Sequence, residues 1–229
     1  MALLKGHGLE IGAMHNPTPV PEGCHVDYFD VISRAEAMAT FPEVPPESFK
    51  IDPKYLGDLD AGGLEQIGGE TFDFVILNHV IEHVANPIRV VGELFRIVRK
   101  EGLVVIACPD KRYTFDQSRK LTGFEHLQRE YEAGVADVTD EHYLDFLAGV
   151  HPEVMTAPPE VLSQHVAHVR RRREHAHVWD SASFRDFLER SLALLGIGAT
   201  CVFEATGDQN EFEYFSVWKK RSEPSAPLN

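Results

Sequence analysis

The sequence predicts an α/β fold built on a doubly wound, mostly parallel sheet that ends in an antiparallel strand hairpin. Short apolar runs alternate with helical patterns along the first 110 residues, which is typical of βαβ units. Two strand-like runs with the turn-rich stretch GDQN between them close the pattern. The chain has 229 residues, 43% of them apolar, which is enough to bury a large core without metal or disulfide support.

The first half of the sheet is predicted from short apolar runs. We expect strands at 8–12 and 25–31, a helix over 33–41, and a weak strand within 47–60. Ser33 followed three residues later by Glu36 predicts a capping box at the start of that helix. The stretch NPTPVPEG between the first two strands predicts a rigid loop, because proline lacks the N–H that a helix needs.

The strongest pattern covers residues 71–110. Phe72 to Leu77 is an apolar run suited to a strand buried on both faces. Pro87 then opens a run with an apolar period near 3.6 residues, typical of an amphipathic helix. The remaining elements predicted for the core are helix 87–100, strand 103–109, helix 181–196 with a serine N-cap and Gly196 at its end, and strands 199–206 and 211–220.

The organisation predicted is a core of residues 1–110 and 178–220 with a helical insertion over 111–177. The insertion has polar helical patterns and few apolar stripes, so we expect it to pack on the core or on the second subunit of a homodimer. It is placed where a substrate-covering lid would lie. The end of the sequence, RSEPSAPLN at 221–229, is predicted to be disordered.

Charge and cysteine content narrow the class of protein. A formal net charge of −14 argues against general binding to nucleic acid or to anionic membranes. No apolar run is long enough to span a membrane, and the first residues do not form a signal peptide. The three cysteines are widely separated and form no CxxC pair, which favours a reducing, cytoplasmic location.

The segment FDFVILNHVIEHVANPIRVVGELFRIVRKEGLVVIACPD, at 72–110, resembles the class I S-adenosylmethionine-dependent methyltransferases. It is similar to the family's fourth strand, the turn and helix that follow, and the fifth strand. PDKRYTFD at 109–116 and HAHVW at 175–179 look like a bacterial subgroup associated with polysaccharide or glycosylation clusters. The resemblance implies a Rossmann-like fold, S-adenosylmethionine as cofactor, and O-methylation of a small molecule or sugar, including a phosphorylated or nucleotide-linked one.

The resemblance also implies where the cofactor would bind. Glu10 matches the acid that orients the first turn, and Gly12 lets the backbone approach the methionine moiety closely. Asp30, or alternatively Asp27, would accept hydrogen bonds from the ribose hydroxyls. The predicted cofactor-binding residues are Glu10, Gly12, Ala13, Met14, Asp30, Asp58, Leu59, Asn78 and His79. For each polar member, an ordinary strand turn, helix cap or solvated loop is the alternative interpretation.

Methylation of an oxygen requires a base that takes the hydroxyl proton. His79 is the first candidate base because it ends the fourth strand, and Asp110 at the end of the fifth strand is the second. His177 is a third catalytic candidate. The predicted substrate-binding residues are Lys111, Arg112, Tyr113 and His175. Glu82 and His83 are expected to hold the turn before Pro87 at least as much as to act in catalysis.

Two charged motifs have open interpretations. His175 and His177 form an HxH pair that would need Asp110 or Asp116 to complete a metal site, and without a clear third ligand the absence of a metal is favoured. The run VRRRRE at 169–174 would either clamp an anionic substrate or form a solvated helix face.

Two other function classes remain as alternatives. The first turn carries Met14 and Asn16 where glycines are common, which raises the hypothesis of a non-catalytic binding or regulatory module. A nicotinamide-dependent oxidoreductase is disfavoured, since no GxGxxG follows the first strand.

Overall fold

A computed structural model describes residues 3–222 of the protein, so the part of the predicted disordered tail from residue 223 onward lies outside the described residues. The described chain forms one sheet with helices packed around it. The strands are β1 His7–Ile11, β2 His25–Asp30, β3 Tyr55–Leu56, β4 Phe72–Asn78, β5 Val98–Pro109, β6 Ala199–Ala205 and β7 Glu213–Lys220. The helices are α1 Arg34–Thr40, α2 Pro87–Ile97, α3 Phe124–Glu132, α4 Asp140–Val150, α5 Pro159–Arg172, α6 Ser181–Leu194 and α7 Gly207–Asn210.

The strands lie in the order β3-β2-β1-β4-β5-β7-β6. The pairs among β1 to β5 are parallel, whereas β7 lies antiparallel between β5 and β6. This arrangement confirms the predicted mostly parallel sheet with an antiparallel end. The strand order reverses between β1 and β4, and open α/β sheets bind ligands outside the carboxyl ends of their strands at such a point.

Local signals explain where several helices begin and end. Ser33 and Glu36 form the predicted capping box, with Glu36 Oε2 accepting from the Ser33 amide at 2.8 Å. The predicted serine cap of α6 is wrong by one residue. The Asp180 carboxylate caps this helix by accepting from the Ser183 amide at 2.8 Å. The helix stops before Gly196, whose φ of +65° is the left-handed conformation expected there.

The strongest sequence pattern also contains the largest boundary error. α2 ends at Ile97 rather than at residue 100, and β5 starts directly at Val98. Pairing with β4 jumps from Val98 to Leu103, and Glu101 inside this bulge has a φ of +62°. Val98 is fully buried as a strand residue, so its apolar character fits the helical period as well as the strand. The GDQN stretch likewise forms the short helix α7 instead of a simple turn.

Two apolar clusters hold the helices in place. Phe184 and Phe187 of α6 pack against Trp179 in the main core, which also includes buried residues of α2 and α3. Residues of α4 and α5 form a second cluster around Phe146, which also includes Ala85 from the loop before α2. The region 111–177 therefore packs against the rest of the chain through both apolar clusters. No helix within residues 3–222 combines the length and the apolar content needed to span a bilayer.

Candidate active site

An open cavity of about 880 Å³ lies at the carboxyl ends of β1, β2 and β4. Its walls come from the turn after β1, the end of β2, the loop after β3, the turn after β4 and the last turn of α5. The cavity therefore lies at the reversal of strand order, where the topology alone places a ligand site.

The turn after β1 is tightly packed at Gly12. Gly12 has a φ of +72°, and a Cβ added here would lie 2.5 Å from Val80 Cγ2 in the turn after β4. Only glycine combines this conformation with this close approach. Met14 follows with a φ of +45° and lines the cavity, while Ala13 lies beside it. Residues 12–24 contain no helix, in agreement with the prediction from their prolines.

Glu10 acts on the proline-rich loop. Its buried carboxylate accepts from the Thr18 amide at 2.9 Å and from Thr18 Oγ1 at 2.6 Å. Burial raises the pKa of Glu10, although these hydrogen bonds oppose the shift. Thr18 Oγ1 also accepts from Asn78 Nδ2 at 3.1 Å, which joins the ends of β1 and β4. Thr18 was not among the predicted site residues, because a single threonine in a loop carries no distinctive pattern.

Asp30 and Asp27, the two candidates on β2, have different surroundings. Asp30 ends the strand, lines the cavity and accepts from the Val31 amide at 2.7 Å. Burial raises the pKa of its carboxyl group. Asp27 lies in mid-strand, where its carboxylate contacts Lys54 Nζ at 2.6 Å and His7 Nε2 at 3.0 Å. The structure thus brings Asp30, and not Asp27, to the cavity.

Asp58 and Leu59 lie in the loop after β3. Leu59 lines the cavity, whereas the Asp58 carboxylate forms a two-point ion pair with the Arg173 guanidinium. Arg173 follows α5, so this pair attaches the region 111–177 to the loop. Asp58 therefore contributes to the shape of the cavity, and Leu59 contributes the surface.

His79 lies at the carboxyl end of the parallel strands, directly after β4. It has a φ of +55°, its Nε2 is 2.6 Å from Glu213 Oε2, and its ring stacks on Phe212 with centroids 4.9 Å apart. Burial on its own lowers the pKa of His79, but the hydrogen bond with Glu213 and the charge of Glu82 outweigh it and raise the pKa. The structure therefore adds Glu213 and Phe212 to the predicted site.

The Glu82 carboxylate is buried behind His79 with three imidazoles around it. Glu82 Oε1 is 3.8 Å from His79 Nδ1, 3.7 Å from His83 Nε2 and 3.9 Å from His175 Nε2. His175 is in turn held by Asp116, with 2.6 Å between Nδ1 and Oδ2. His79 and His83 line the cavity, so this cluster places a buried negative charge beside its histidine wall.

Three consecutive arginines at the end of α5 line the cavity, and most are already paired. Arg172 contacts Glu43 and Glu174, and Arg173 contacts Asp58. Arg171 is exposed and contacts His168 Nδ1 at 3.4 Å, without an ion pair to any residue in 3–222. The arginine run is therefore a partly neutralised patch that leaves one cation facing the cavity.

Several predicted site residues lie away from the cavity lining. Asp110 is fully buried and accepts from Ser181 Oγ at 2.7 Å and from Arg112 Nη2 at 2.7 Å. Burial alone would raise its pKa, but these donors outweigh burial and lower the pKa to about 2. Arg112 and the Tyr113 hydroxyl both contact Asp208, while Lys111 Nζ donates to the Arg119 carbonyl. These residues form a structural network beside α7.

The HxH pair is divided between two environments. His175 belongs to the Glu82 cluster, whereas His177 is 1% exposed and lies near His142, with ring centroids 5.1 Å apart. Asp110 contacts neither ring in this arrangement and instead accepts from the Ser181 amide at the start of α6. The single metal site that would use both histidines with Asp110 is therefore not assembled.

Comparison with known proteins identifies the family. A family model described as a methyltransferase domain matches residues 6–191. A search of the curated proteins found no match.

Several solved structures match this chain at low sequence identity. A Thermotoga maritima S-adenosylmethionine-dependent methyltransferase, described as a candidate histamine N-methyltransferase, is 17% identical with a TM-score of 0.47, covering 96% of this chain and 85% of its own. A Rhodobacter sphaeroides protein with a provisional zinc-dependent alcohol dehydrogenase name is 14% identical with a TM-score of 0.53, covering 95% and 85%. The CurJ carbon methyltransferase is 12% identical with a TM-score of 0.49, covering 95% of this chain, which spans about half (49%) of that one.

Proposed function

The chain belongs to the methyltransferase-domain family, and from this premise we propose that it transfers a methyl group from S-adenosylmethionine to an oxygen of a small molecule or sugar. One observation carries the proposal. A single cavity joins a half made by the glycine turn of β1 and the acid of β2 to a half made by the histidines after β4. A cofactor half and an acceptor half in one cavity are what a group transfer needs, because both reactants must be aligned.

The first half fits the cofactor. The Asp30 carboxylate at the end of β2 is placed to accept hydrogen bonds from two ribose hydroxyls, and its charge disfavours a 2′-phosphate. The close-packed backbone at Gly12 lets the methionine moiety lie against the turn. Leu59 offers an apolar surface for the adenine ring. When bound, the cofactor supplies an electrophilic methyl group on its sulfonium.

The second half fits an acceptor that must lose a proton. Since the contact with Glu213 involves Nε2, the Nδ1 atom of His79 is left to take the proton from an acceptor hydroxyl. Glu82 Oε1 lies 3.8 Å from this atom and stabilises the imidazolium that results. A base set up in this way is of most use when the acceptor atom is a hydroxyl oxygen.

Arg171 supports an acceptor that carries a negative group. Its neighbours Arg172 and Arg173 are paired with Glu43 and Asp58, whereas Arg171 has no such partner among residues 3–222. A phosphate, or the diphosphate of a nucleotide-linked sugar, would pair with its guanidinium in two-point geometry. The helices of 111–177 that carry it would cover the bound acceptor and exclude water.

Calorimetric titration with S-adenosylmethionine and S-adenosylhomocysteine tests the cofactor half. We expect binding by the native chain, and loss of at least about tenfold in affinity for Asp30→Asn, equivalent to about 1.4 kcal/mol. Asp27→Asn on the same strand is the control and should bind as the native chain does. Absence of binding at millimolar cofactor would overturn the proposal.

Transfer of a labelled methyl group to panels of neutral, phosphorylated and nucleotide-linked sugars tests the acceptor half. We expect turnover with at least one hydroxyl acceptor, and loss of turnover in His79→Ala with cofactor binding retained. A KM increase in Arg171→Ala for the phosphorylated acceptors alone would support the anionic class. Cofactor binding without transfer to any acceptor would favour the non-catalytic module instead.

A further inference from the structure

A second group of potential metal ligands lies outside the cavity, where helices α3 and α4 meet the segment after α5. We call it the His126 cluster, and it consists of His126, Glu130, His142 and His177. One nitrogen or oxygen atom from each of the four lies within 4.8 Å of the others. His126 and Glu130 share one face of α3 because they are four residues apart. None of the four residues lines the cavity described above.

The distances within the cluster have the spacing of a coordination shell. His126 Nε2 is 3.2 Å from His142 Nε2, and Glu130 Oε1 is 3.2 Å from the first and 3.3 Å from the second. A tetrahedral cation with bonds of about 2.0–2.1 Å holds its ligand atoms about 3.3–3.4 Å apart. Three ligand atoms are thus already placed near the corners of one face of such a tetrahedron.

The fourth member is buried without a satisfied partner. His177 is 1% exposed, and its ring has only a contact with the Val84 backbone, which falls short of normal hydrogen-bond geometry. The Oε2 atom of Glu130 is also buried, with no hydrogen-bond partner among the described residues. Leaving such groups unpaired destabilises the folded state, so a folded chain normally supplies a partner. A cation among the four side chains would be that partner.

A further contact orients one ligand toward the centre of the cluster. The Thr139 hydroxyl lies 2.9 Å from His142 Nδ1, which leaves Nε2 facing His126 and Glu130. Metal-binding histidines commonly have their second ring nitrogen fixed by such a partner.

Two other groups of histidines and carboxylates do not combine close ligand spacing with unpaired buried atoms. His7 and His25 surround Asp27, but the Lys54 ammonium already lies 2.6 Å from that carboxylate. The group around Glu82 belongs to the cavity and is more widely spaced, at 3.7 Å or more from carboxylate to imidazole. Both Glu82 carboxylate oxygens are also buried without a hydrogen-bond partner within residues 3–222, so the His126 cluster is distinguished by its closer spacing and by its position outside the cavity.

We infer that His126, Glu130, His142 and His177 bind one divalent transition-metal cation of the zinc class. Three imidazole nitrogens and one carboxylate oxygen are a ligand set that such a cation prefers, and four protein ligands close the site. Its role is structural: the cation joins α3 and α4 to the segment that carries His175 to the Glu82 cluster. The inference goes beyond the proposed methyl transfer and does not depend on it.

The sequence alone favoured no metal because the HxH pair had no clear third ligand. In the structure the two histidines of the HxH pair belong to different clusters. His177 lies beside His126 and Glu130 of α3 and His142 of α4, which precede it by at least 35 residues. Each helix contributes one or two ligands, so no segment has the spacing of a metal-binding motif.

The first test uses the full chain, purified without a histidine tag and stripped with a chelator. Elemental analysis after dialysis against Zn²⁺ should find one zinc ion per chain. Co²⁺ in its place should give the intense visible absorption of a tetrahedral site. A native chain that retains less than half an equivalent of zinc, or that gives only the weak spectrum of six-coordinate Co²⁺, overturns the inference without recourse to any variant.

The second test locates the ion. Zinc affinity is measured by competition with a chromophoric chelator for His126→Ala and for His165→Ala, an exposed histidine of α5 outside the cluster. We expect His126→Ala to weaken binding by more than about 100-fold and His165→Ala to leave it unchanged. A second cluster variant, Glu130→Gln, preserves side-chain volume and should also weaken binding. Equal zinc affinity in His126→Ala, Glu130→Gln and His165→Ala overturns the inference.

Discussion

Two glycines of the chain share a left-handed backbone but differ in their surroundings. Gly12 has a φ of +72° and faces Val80, whereas Gly23 has a φ of +87° with no atom within 4 Å of an added Cβ. A backbone penalty of about 1–2 kcal/mol is therefore common to both positions. The steric conflict at 2.5 Å is specific to Gly12, which lies beside the proposed cofactor.

This pair gives a matched prediction at the level of single residues. Gly12→Ala should weaken S-adenosylhomocysteine binding by at least about tenfold. The turns after β1 and β4 would have to separate to make room for the alanine side chain beside Val80. Gly23→Ala should lower the free energy of unfolding by a similar backbone amount but leave affinity unchanged. Calorimetric titration with urea unfolding of both variants checks this. Equal affinities in the two variants would contradict a role for the Gly12 turn in cofactor binding.

Single residues also show how far the sequence determines the site. Asp30 can be predicted from its place at the end of a strand, whereas Asp27 is separated from it as an alternative only by the contact with Lys54 in the folded chain. His79 and Glu213 are 134 positions apart in the sequence, so no local sequence pattern can predict their contact. Sequence patterns therefore predict where strands end, but they do not predict which distant side chain contacts the residue at a strand end.

At the level of elements, the first residue of β7 affects the pKa of the residue that follows β4. Glu213 begins β7, and its carboxylate helps to raise the pKa of His79 against the effect of burial. A base must be deprotonated to act, so the proposed activity should rise as the pH passes upward through this raised pKa. With His79 as the proposed base, the pH dependence of transfer would be set by contact between two strands that are not adjacent in the sheet.

Glu213→Gln tests this coupling. Removing the charge should lower the pKa of His79 and move the rising limb of the pH–rate profile to lower pH. Glu211→Gln, two residues earlier and exposed, is the control and should leave the profile in place. A profile for Glu213→Gln that coincides with the native one would exclude His79 as the group that titrates.

Elements with strong periodicity could be predicted to within a few residues, and those shaped by tertiary contacts could not. β4 and the start of α2 follow the apolar pattern and Pro87 closely. β3 is only two residues long because pairing with β2, and not its own composition, defines it. Helices α4 and α5 have weak apolar stripes, and part of the buried surface in 111–177 consists of polar side chains whose partners lie on other helices.

At the level of the whole molecule, polar contacts reinforce connections that the apolar clusters also make. The ion pair of Asp58 with Arg173 attaches α5 to the loop after β3. Asp110 joins the end of β5 to α6 through Ser181, whose Oγ also accepts from the Gly207 amide at 2.8 Å. These contacts place charged groups where elements meet, so the stability of the molecule should depend on their ionisation.

Asp110 allows this dependence to be measured. Its folded-state pKa of about 2 lies below the ordinary value of 3.8, so its contribution to stability is present above pH 3.8 and is lost as the pH falls through about 2. Asp110→Asn should lower the free energy of unfolding by about 3 kcal/mol at pH 7, because the Arg112 and Ser181 donors lose a charged partner. The difference from the native chain should narrow by about 2 kcal/mol toward pH 2, since one pKa unit is equivalent to about 1.4 kcal/mol.

Asp208→Asn is the control, because Asp208 pairs with the same arginine from an exposed position, with 62% of its side chain accessible. It should lower the free energy of unfolding much less than Asp110→Asn does, as expected for a surface pair. Urea unfolding of the three chains at steps from pH 7 downward gives both quantities. If the difference between native and Asp110→Asn stays constant with pH, the Asp110 carboxyl does not titrate as the network requires. If the two variants lose equal stability at pH 7, the buried end of the network is no stronger than its exposed end.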